Sequence, residues 1–145
     1  MTNPEHARRL YQRWMEMWNG DLDAADEIFA DGCVTHPAPQ DTGETPLFRG
    51  PKEMRRFVEM GRAIFQEVEF RPEGEPIVEG NRLACRWVGE GSYAGGMPGA
   101  TAEPGAAITF RGIDVWHLEN GKVVEYWVAS DGLHLMAQLG VGQQS

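Results

Sequence analysis

The sequence predicts an α+β fold in which helices come first and a meander of antiparallel strands follows. Three observations point there. Apolar residues recur at helical spacing as far as Phe65, they alternate with polar ones afterwards, and Asn120-Gly121 divides a long two-strand stretch from Ala106 to Asp131. That dipeptide suits the positive φ angles of a type I′ hairpin turn. Three N-terminal helices packed on the concave face of a strongly curved antiparallel sheet would leave a cone with a hollow. No repeat, linker or break in composition divides the chain, so residues 1–145 read as one domain with a loose tail over 140–145.

Each element has a local reason. Asn3-Pro4-Glu5 supplies a cap residue, a proline for the first helical position and an early acid. Ala7, Leu10, Tyr11, Trp14, Met17 and Trp18 form the stripe of that helix, and Asn19-Gly20 ends it. A short second helix after Asp21 buries Leu22, Ala25, Ile28 and Phe29. Cys33 to His36 is extended, and Pro37 holds His36 that way. Residues 37–50, rich in Pro, Gly and Thr, read as a loop. Gly50-Pro51 opens a third helix with Met54, Phe57, Val58, Gly61, Ile64 and Phe65 on one face. Val68 and Phe70 start a strand, and Pro76 to Glu79 runs to a turn at Gly80-Asn81. Leu83, Cys85 and Trp87 face inward on the next strand, with Arg86 and Glu90 outward. Gly89 to Gly105 carries six glycines and two prolines and reads as an irregular flap over a cavity. Gly132 to Leu139 is a short terminal helix.

Composition excludes several classes. With 145 residues, 41% apolar and 24% charged, the chain has enough greasy material for a real core. A formal net charge of -9 argues against nucleic acid and anionic membrane as partners, because both need basic patches. Two cysteines make no disulfide framework and suggest reduced thiols in a cytoplasmic protein. Glu5, Arg8, Arg9, Arg13 and Glu16 rule out a signal peptide, and no run of about 18 apolar residues would span a membrane. Without HExxH, CxxC or clustered His and Cys, no metal site is expected. Without GxGxxG or GxxxxGK[ST], no nucleotide cofactor is expected either.

The hairpin carries the candidate chemistry. If its loop is two residues, Leu118 meets Val123, Trp116 meets Glu125, Asp114 meets Trp127, Gly112 meets Ala129 and Phe110 meets Asp131. Asp114 and Asp131 then share a face with Phe110, Trp116 and Trp127. The other face carries Arg111, Ile113, Val115, His117, Val124, Tyr126, Val128 and Ser130. A one-residue bulge would exchange the faces beyond it. A mid-strand carboxylate such as Asp114 is expensive to bury without a partner, and burial would raise its pKa toward the working range of a general acid or base. The rival reading is a solvated or arginine-paired strand aspartate. Asp131 is either an acid/base group or the N-cap of the terminal helix. His36 is either a proton-transfer partner at the open end of the cone or a structural residue. Trp14, Trp18, Trp87, Trp116 and Trp127 are either core or the wall of a pocket for a flat, bulky or aromatic apolar ligand.

Several short segments, weak singly, form a pattern together. They are Trp18-Asn19-Gly20-Asp21, Gly50-Pro51-Lys52-Glu53, Gly96-Met97-Pro98, Arg111-Gly112-Ile113-Asp114, Asn120 through Trp127, Asp131, and Gln138-Leu139-Gly140. In this order they resemble the SnoaL-like polyketide cyclase branch of the nuclear transport factor 2-like superfamily, whose fold is a cystatin-like roll. The resemblance implies a cofactor-free enzyme that closes rings by intramolecular aldol condensation. It implies Asp131 as acid/base, Asp114 as a polar pocket residue on the neighbouring strand and His36 as another. Phe110 and Met97 join Trp14, Trp18, Trp87, Trp116 and Trp127 as substrate-binding candidates. The turn after Gly96-Met97-Pro98 is longer here, so the mouth of the pocket differs. Relatives on this fold also include epoxide hydrolases, steroid isomerases, dehydratases and binding modules.

Three functions follow as expectations. The first is acid/base chemistry, of cyclase, isomerase or lyase type, on a small, largely apolar carbonyl compound. The second is water addition of the epoxide-hydrolase kind, which needs Arg86 or Arg111 beside the acids. The third is a non-catalytic module for a hydrophobic ligand. In each case the apolar residues Ile113, Val115, Tyr126 and Val128 on the outer sheet face predict a homodimer.

Overall fold

A computed structural model describes residues 2–38 and 47–142. Helix α1 (Pro4–Trp18) starts where expected, with the Asn3 side chain accepting the Glu5 and His6 N–H groups. A 3-10 turn (Leu22–Ala24) and the one-turn α2 (Ala25–Ile28) follow, then strand β1 (Phe29–His36). Beyond the part of the predicted loop that lies outside the described residues come a two-residue strand β2 (Phe48–Arg49) and α3 (Gly50–Arg62). Strands β3 (Phe65–Pro72), β4 (Ile77–Glu79), β5 (Arg82–Tyr93), β6 (Ala107–Glu119) and β7 (Lys122–Ser130) lead to α4 (Gly132–Leu139). One curved sheet runs β2-β1-β7-β6-β5-β3, with β4 on part of β5. Residues 143–145 of the predicted tail lie outside the described residues.

The α+β reading holds, with one correction to the sheet. It is mixed, because β1 runs parallel to β7, pairing Thr35 with Tyr126 and His36 with Trp127. A parallel partner needs a crossover, which the intervening strands supply but no local pattern announces. The remaining pairings are antiparallel.

A second correction concerns the predicted flap. Strand β5 continues through Gly89 and Gly91 to Tyr93, so only 94–106 is irregular. At Gly91 a Cβ would lie 1.9 Å from the Glu67 carbonyl oxygen, so the close approach of β3 demands glycine within a strand. The loop is tied down instead of swinging over a cavity. Thr101 and Ala102 donate to the Leu139 carbonyl at the end of α4, and the Met97 N–H donates to Tyr93 Oη at 2.7 Å.

The third correction is the hairpin register. Asn120 (φ 53°) and Gly121 (φ 78°) make the expected turn and Leu118 meets Val123, but a bulge follows at once. Val124 is the extra residue, so His117 meets Glu125, Trp116 meets Tyr126 and Asp114 meets Val128. The bulge lets both Val123 (0% exposed) and Tyr126 (1%) face inward, although they lie an odd number of residues apart. A regular strand would have driven Glu125 and Trp127 into the core. Tyr126, Val128 and Ser130 therefore belong to the inner face.

Two side-chain amides lock helices to strand backbones. Asn19 donates to the Phe70 carbonyl and accepts the Phe70 N–H, seating the end of α1 on β3. Gln138 does the same for Thr109, seating α4 on β6. Each reproduces the donor-acceptor pair of a strand neighbour.

Candidate functional site

Asp114 is the chemical centre of the inner face. It stands mid-β6, 1% exposed, where Tyr11 and Trp14 of α1, Trp87 of β5 and Tyr126 of β7 converge. Its Oδ2 accepts from Tyr11 Oη (2.8 Å) and Trp14 Nε1 (3.0 Å). Its Oδ1 accepts from Trp87 Nε1 (3.1 Å) and Tyr126 Oη (2.5 Å). A carboxylate offers about four acceptor positions, and all four are taken. The helical spacing of Tyr11 and Trp14 aims both at one oxygen, while strand alternation and the bulge aim the other two donors.

Burial and donors oppose each other at this group. Loss of water raises the carboxyl pKa, the four hydrogen bonds lower it, and burial prevails, leaving it pushed up to about 6. Tyr11 and Tyr126 are pushed far above the ordinary phenol range by burial and by the charge of Asp114. They therefore stay protonated. Burial likewise pushes the Cys85 thiol up to about 11 and Cys33 up to about 12, which leaves both as small apolar fillers.

Beside Asp114 lies a cavity of about 110 Å³. Trp18, Phe57, Phe70, Trp87, Phe110 and Tyr126 give it an aromatic wall, and Asp114 is the one charged group among its lining residues. Pro37, Ala38 and Ser130 also border it. Apolar cavities of about 150 Å³ in other proteins take up benzene, so this space is of the scale of an aromatic ring.

The predicted site residues separate into three groups. Asp114, Trp18, Trp87 and Phe110 meet at the cavity. Trp14 is buried behind it and acts through its N–H on Asp114. Trp116 is core, packed against Tyr11, Trp14 and Phe29, and its Nε1 has no hydrogen-bond partner among the described residues. The structure corrects the placement of the other four. Asp131 is exposed and caps α4, accepting the His134 N–H at 3.0 Å, so its carboxylate is engaged outside the cavity wall. His36 and Trp127 lie on the outer face because β1 and β7 pair in parallel with the bulge between the turn and Trp127. There they stack at 5.5 Å and 8°, with His36 Nε2 2.7 Å from Glu125 Oε2. Met97 packs on the core but does not line the cavity, since its loop is held by Tyr93 and α4.

Sequence reasoning missed Tyr11, Tyr126, Phe57 and Phe70 as site residues. Tyr11 was legible as part of a stripe, and its spacing of three from Trp14 was the available signal for a shared acceptor. Tyr126 was hidden by the bulge. The arginine required for epoxide opening is not at Asp114, whose four partners are tyrosines and tryptophans; Arg111 bonds Glu73 on the exposed side at 3.1 Å. No group of three His, Cys, Asp or Glu side chains able to hold a metal gathers among the described residues.

The chain thus presents a curved sheet with helices packed on it and a buried carboxylate beside an aromatic hollow. The sequence profile of the SnoaL-like polyketide cyclases matches residues 8–139, and the chain belongs to that family. Among curated proteins none matches. Solved structures share the fold at low identity. A candidate polyketide cyclase from Acidithiobacillus ferrooxidans is 21% identical with a TM-score of 0.79, covering 96% of this chain and 97% of that one. IdmH from Streptomyces antibioticus, a candidate polyketide cyclase, is 23% identical with a TM-score of 0.77 over 97% of this chain and 100% of its own. AclR from Streptomyces galilaeus, a candidate hydroxylase, is 19% identical with a TM-score of 0.76 over 99% and 86%. The same roll thus carries differently described chemistries.

Proposed function

We propose that the protein is a cofactor-independent acid/base enzyme acting on a small, largely apolar carbonyl compound, with Asp114 as the proton-transferring group. The observation that carries this reading is the placement of one buried carboxylate, held near pKa 6, in an otherwise aromatic cavity wall. In the ionised form Asp114 takes a proton from the carbon next to a carbonyl. The C–H electron pair then becomes an enolate. In ring closure the enolate carbon bonds to a second carbonyl carbon, and the alkoxide formed takes the proton back from Asp114. The carboxylate ends as it began.

Saturation of Asp114 sets a condition on this step. A fully occupied carboxylate accepts a proton only when one donor turns away. Tyr126 borders the cavity, and rotation of its hydroxyl would free an Asp114 lone pair while offering the O–H to the developing enolate oxygen. One movement then supplies both the base and the oxyanion donor.

Proton abstraction can be tested without the natural substrate. In D2O, the protein is expected to accelerate hydrogen–deuterium exchange at the α-carbon of 1-indanone, followed by NMR. Asp114→Asn removes the acceleration, and Tyr126→Phe lowers it about a hundredfold, the effect of losing one oxyanion donor. Exchange at the buffer rate with the unaltered protein, or undiminished exchange in Asp114→Asn, would overturn the assignment.

The outer sheet face supports a second proposal, self-association. Ile77 is 71% exposed and Ile113 43% exposed on this side, beside the half-buried Trp127 with Arg82 over its ring. A second copy would cover this surface.

A further inference from the structure

Three of the cavity rings rest on glycines. A Cβ at Gly61 in α3 would lie 2.5 Å from the Trp18 ring, one at Gly89 in β5 would lie 2.5 Å from the Phe70 ring, and one at Gly112 in β6 would lie 2.3 Å from the Trp87 ring. Real Cβ atoms essentially never come that close, so each ring occupies space that any other residue would fill. Gly89 and Gly112 lie in the interiors of two long strands, where glycine is locally unfavourable, and Gly61 lies in the last turn of α3. None of the three has the left-handed φ that would explain it. Backbone freedom is therefore not the reason for glycine here.

We propose that Gly61, Gly89 and Gly112 are specificity-determining residues that set the width of the cavity by letting Trp18, Phe70 and Trp87 withdraw from it. The Phe70 and Trp87 rings stand between Gly89 and Gly112 and the hollow, and Gly61 borders the hollow beside the Trp18 ring. Trp18 packs on Phe57 and Phe70, Phe70 on Phe65 and Trp87, and Trp87 on Phe110, so the space left to a displaced ring is the cavity itself. Interiors are too densely packed to absorb the shift elsewhere. A methyl group at Gly89, on the far side of the Phe70 ring, then acts as a size filter on a ligand it never touches. Gly112 has a second constraint, since its Cβ would also meet the Ala129 carbonyl oxygen at 2.6 Å. Gly61 and Gly89 meet only side-chain atoms and are the informative positions.

The inference rests on the cavity being a ligand site, and the experiment separates the two. Binding of phenol and of p-cresol is measured by calorimetry for the unaltered protein, Gly61→Ala and Gly89→Ala, with circular dichroism and a melting curve on each. The unaltered protein is expected to bind both. Each alanine variant is expected to lose at least tenfold in affinity for p-cresol and less than threefold for phenol. Restoring space by trimming the ring should restore p-cresol binding in the pairs Gly89→Ala with Phe70→Leu and Gly61→Ala with Trp18→Phe. These pairs also keep the test open should a single variant fold poorly. Binding of neither probe by the unaltered protein overturns the cavity reading and the inference together. Unchanged selectivity in the variants, or equal loss of both probes without rescue, overturns the inference alone.

Discussion

Asp114 shows how one residue can be both a structural keystone and a reactive group. Its four donors come from α1, β5 and β7, so the carboxylate joins the first helix to the last strand. Asparagine there keeps the shape but presents an N–H group to two of the donors, which costs about 1–3 kcal/mol for each buried donor left unpaired. Loss of function in Asp114→Asn must therefore be read beside its melting curve. The raised pKa also makes stability depend on pH. Between about pH 4 and 6 the folded protein holds a proton on Asp114 that the unfolded chain has released. Stability consequently falls as pH rises through that window, by roughly 1.4 kcal/mol per pH unit from this group, and the penalty stays at higher pH. Denaturant titrations from pH 4 to 7 should show this slope in the unaltered protein and not in Asp114→Asn. Catalysis runs the other way: the base must be ionised, so the exchange rate rises with pH through about 6.

At the scale of the element, two local features decide what faces the cavity. The bulge at Val124 exchanges Trp127 for Tyr126 on the inner face, and the helix cap removes Asp131 from it. Only one of the two lay within reach of sequence reasoning. The cap was legible, because aspartate before a helix is a local preference; Asp131→Ala is expected to lower stability by about 1 kcal/mol and leave proton exchange unchanged. Equal exchange loss in Asp131→Ala and Asp114→Asn would contradict the assignment of Asp114 alone. The bulge was not legible, since its reason is tertiary: Val123 and Tyr126 must both be buried, and nothing in VVEYWV says so. The stripe of α1 and the Asn120-Gly121 turn were readable for the opposite reason, being fixed by contacts between near neighbours in sequence.

The whole molecule repeats this division. Helices first and strands afterwards was enough to reach an α+β roll, and the hollow followed from laying helices on a bent sheet. The parallel seam between β1 and β7 joins segments about 90 residues apart, beyond any periodicity, and it carried His36 to the outer face. The end of β5, with Gly89 and Gly91, reads as loop when glycine alone is counted, without the rings and backbone packed against it. On the outside, the exposed isoleucines predict association. Sedimentation at micromolar concentration should give a dimer, and Ile113→Glu should convert it to monomer without lowering ligand binding in the cavity. A monomer at all concentrations would dismiss this surface as an interface.

The two indole N–H groups on Asp114 give the molecule a built-in optical gauge. Trp14 and Trp87 each sense whether the oxygen they bond carries a charge, and indole emission responds to a charge at hydrogen-bond distance. Titrating the fluorescence of the folded protein should reveal an inflection near pH 6 that vanishes in Asp114→Asn. A ligand entering the hollow would shift that inflection, so occupancy could be followed by light alone, with no label.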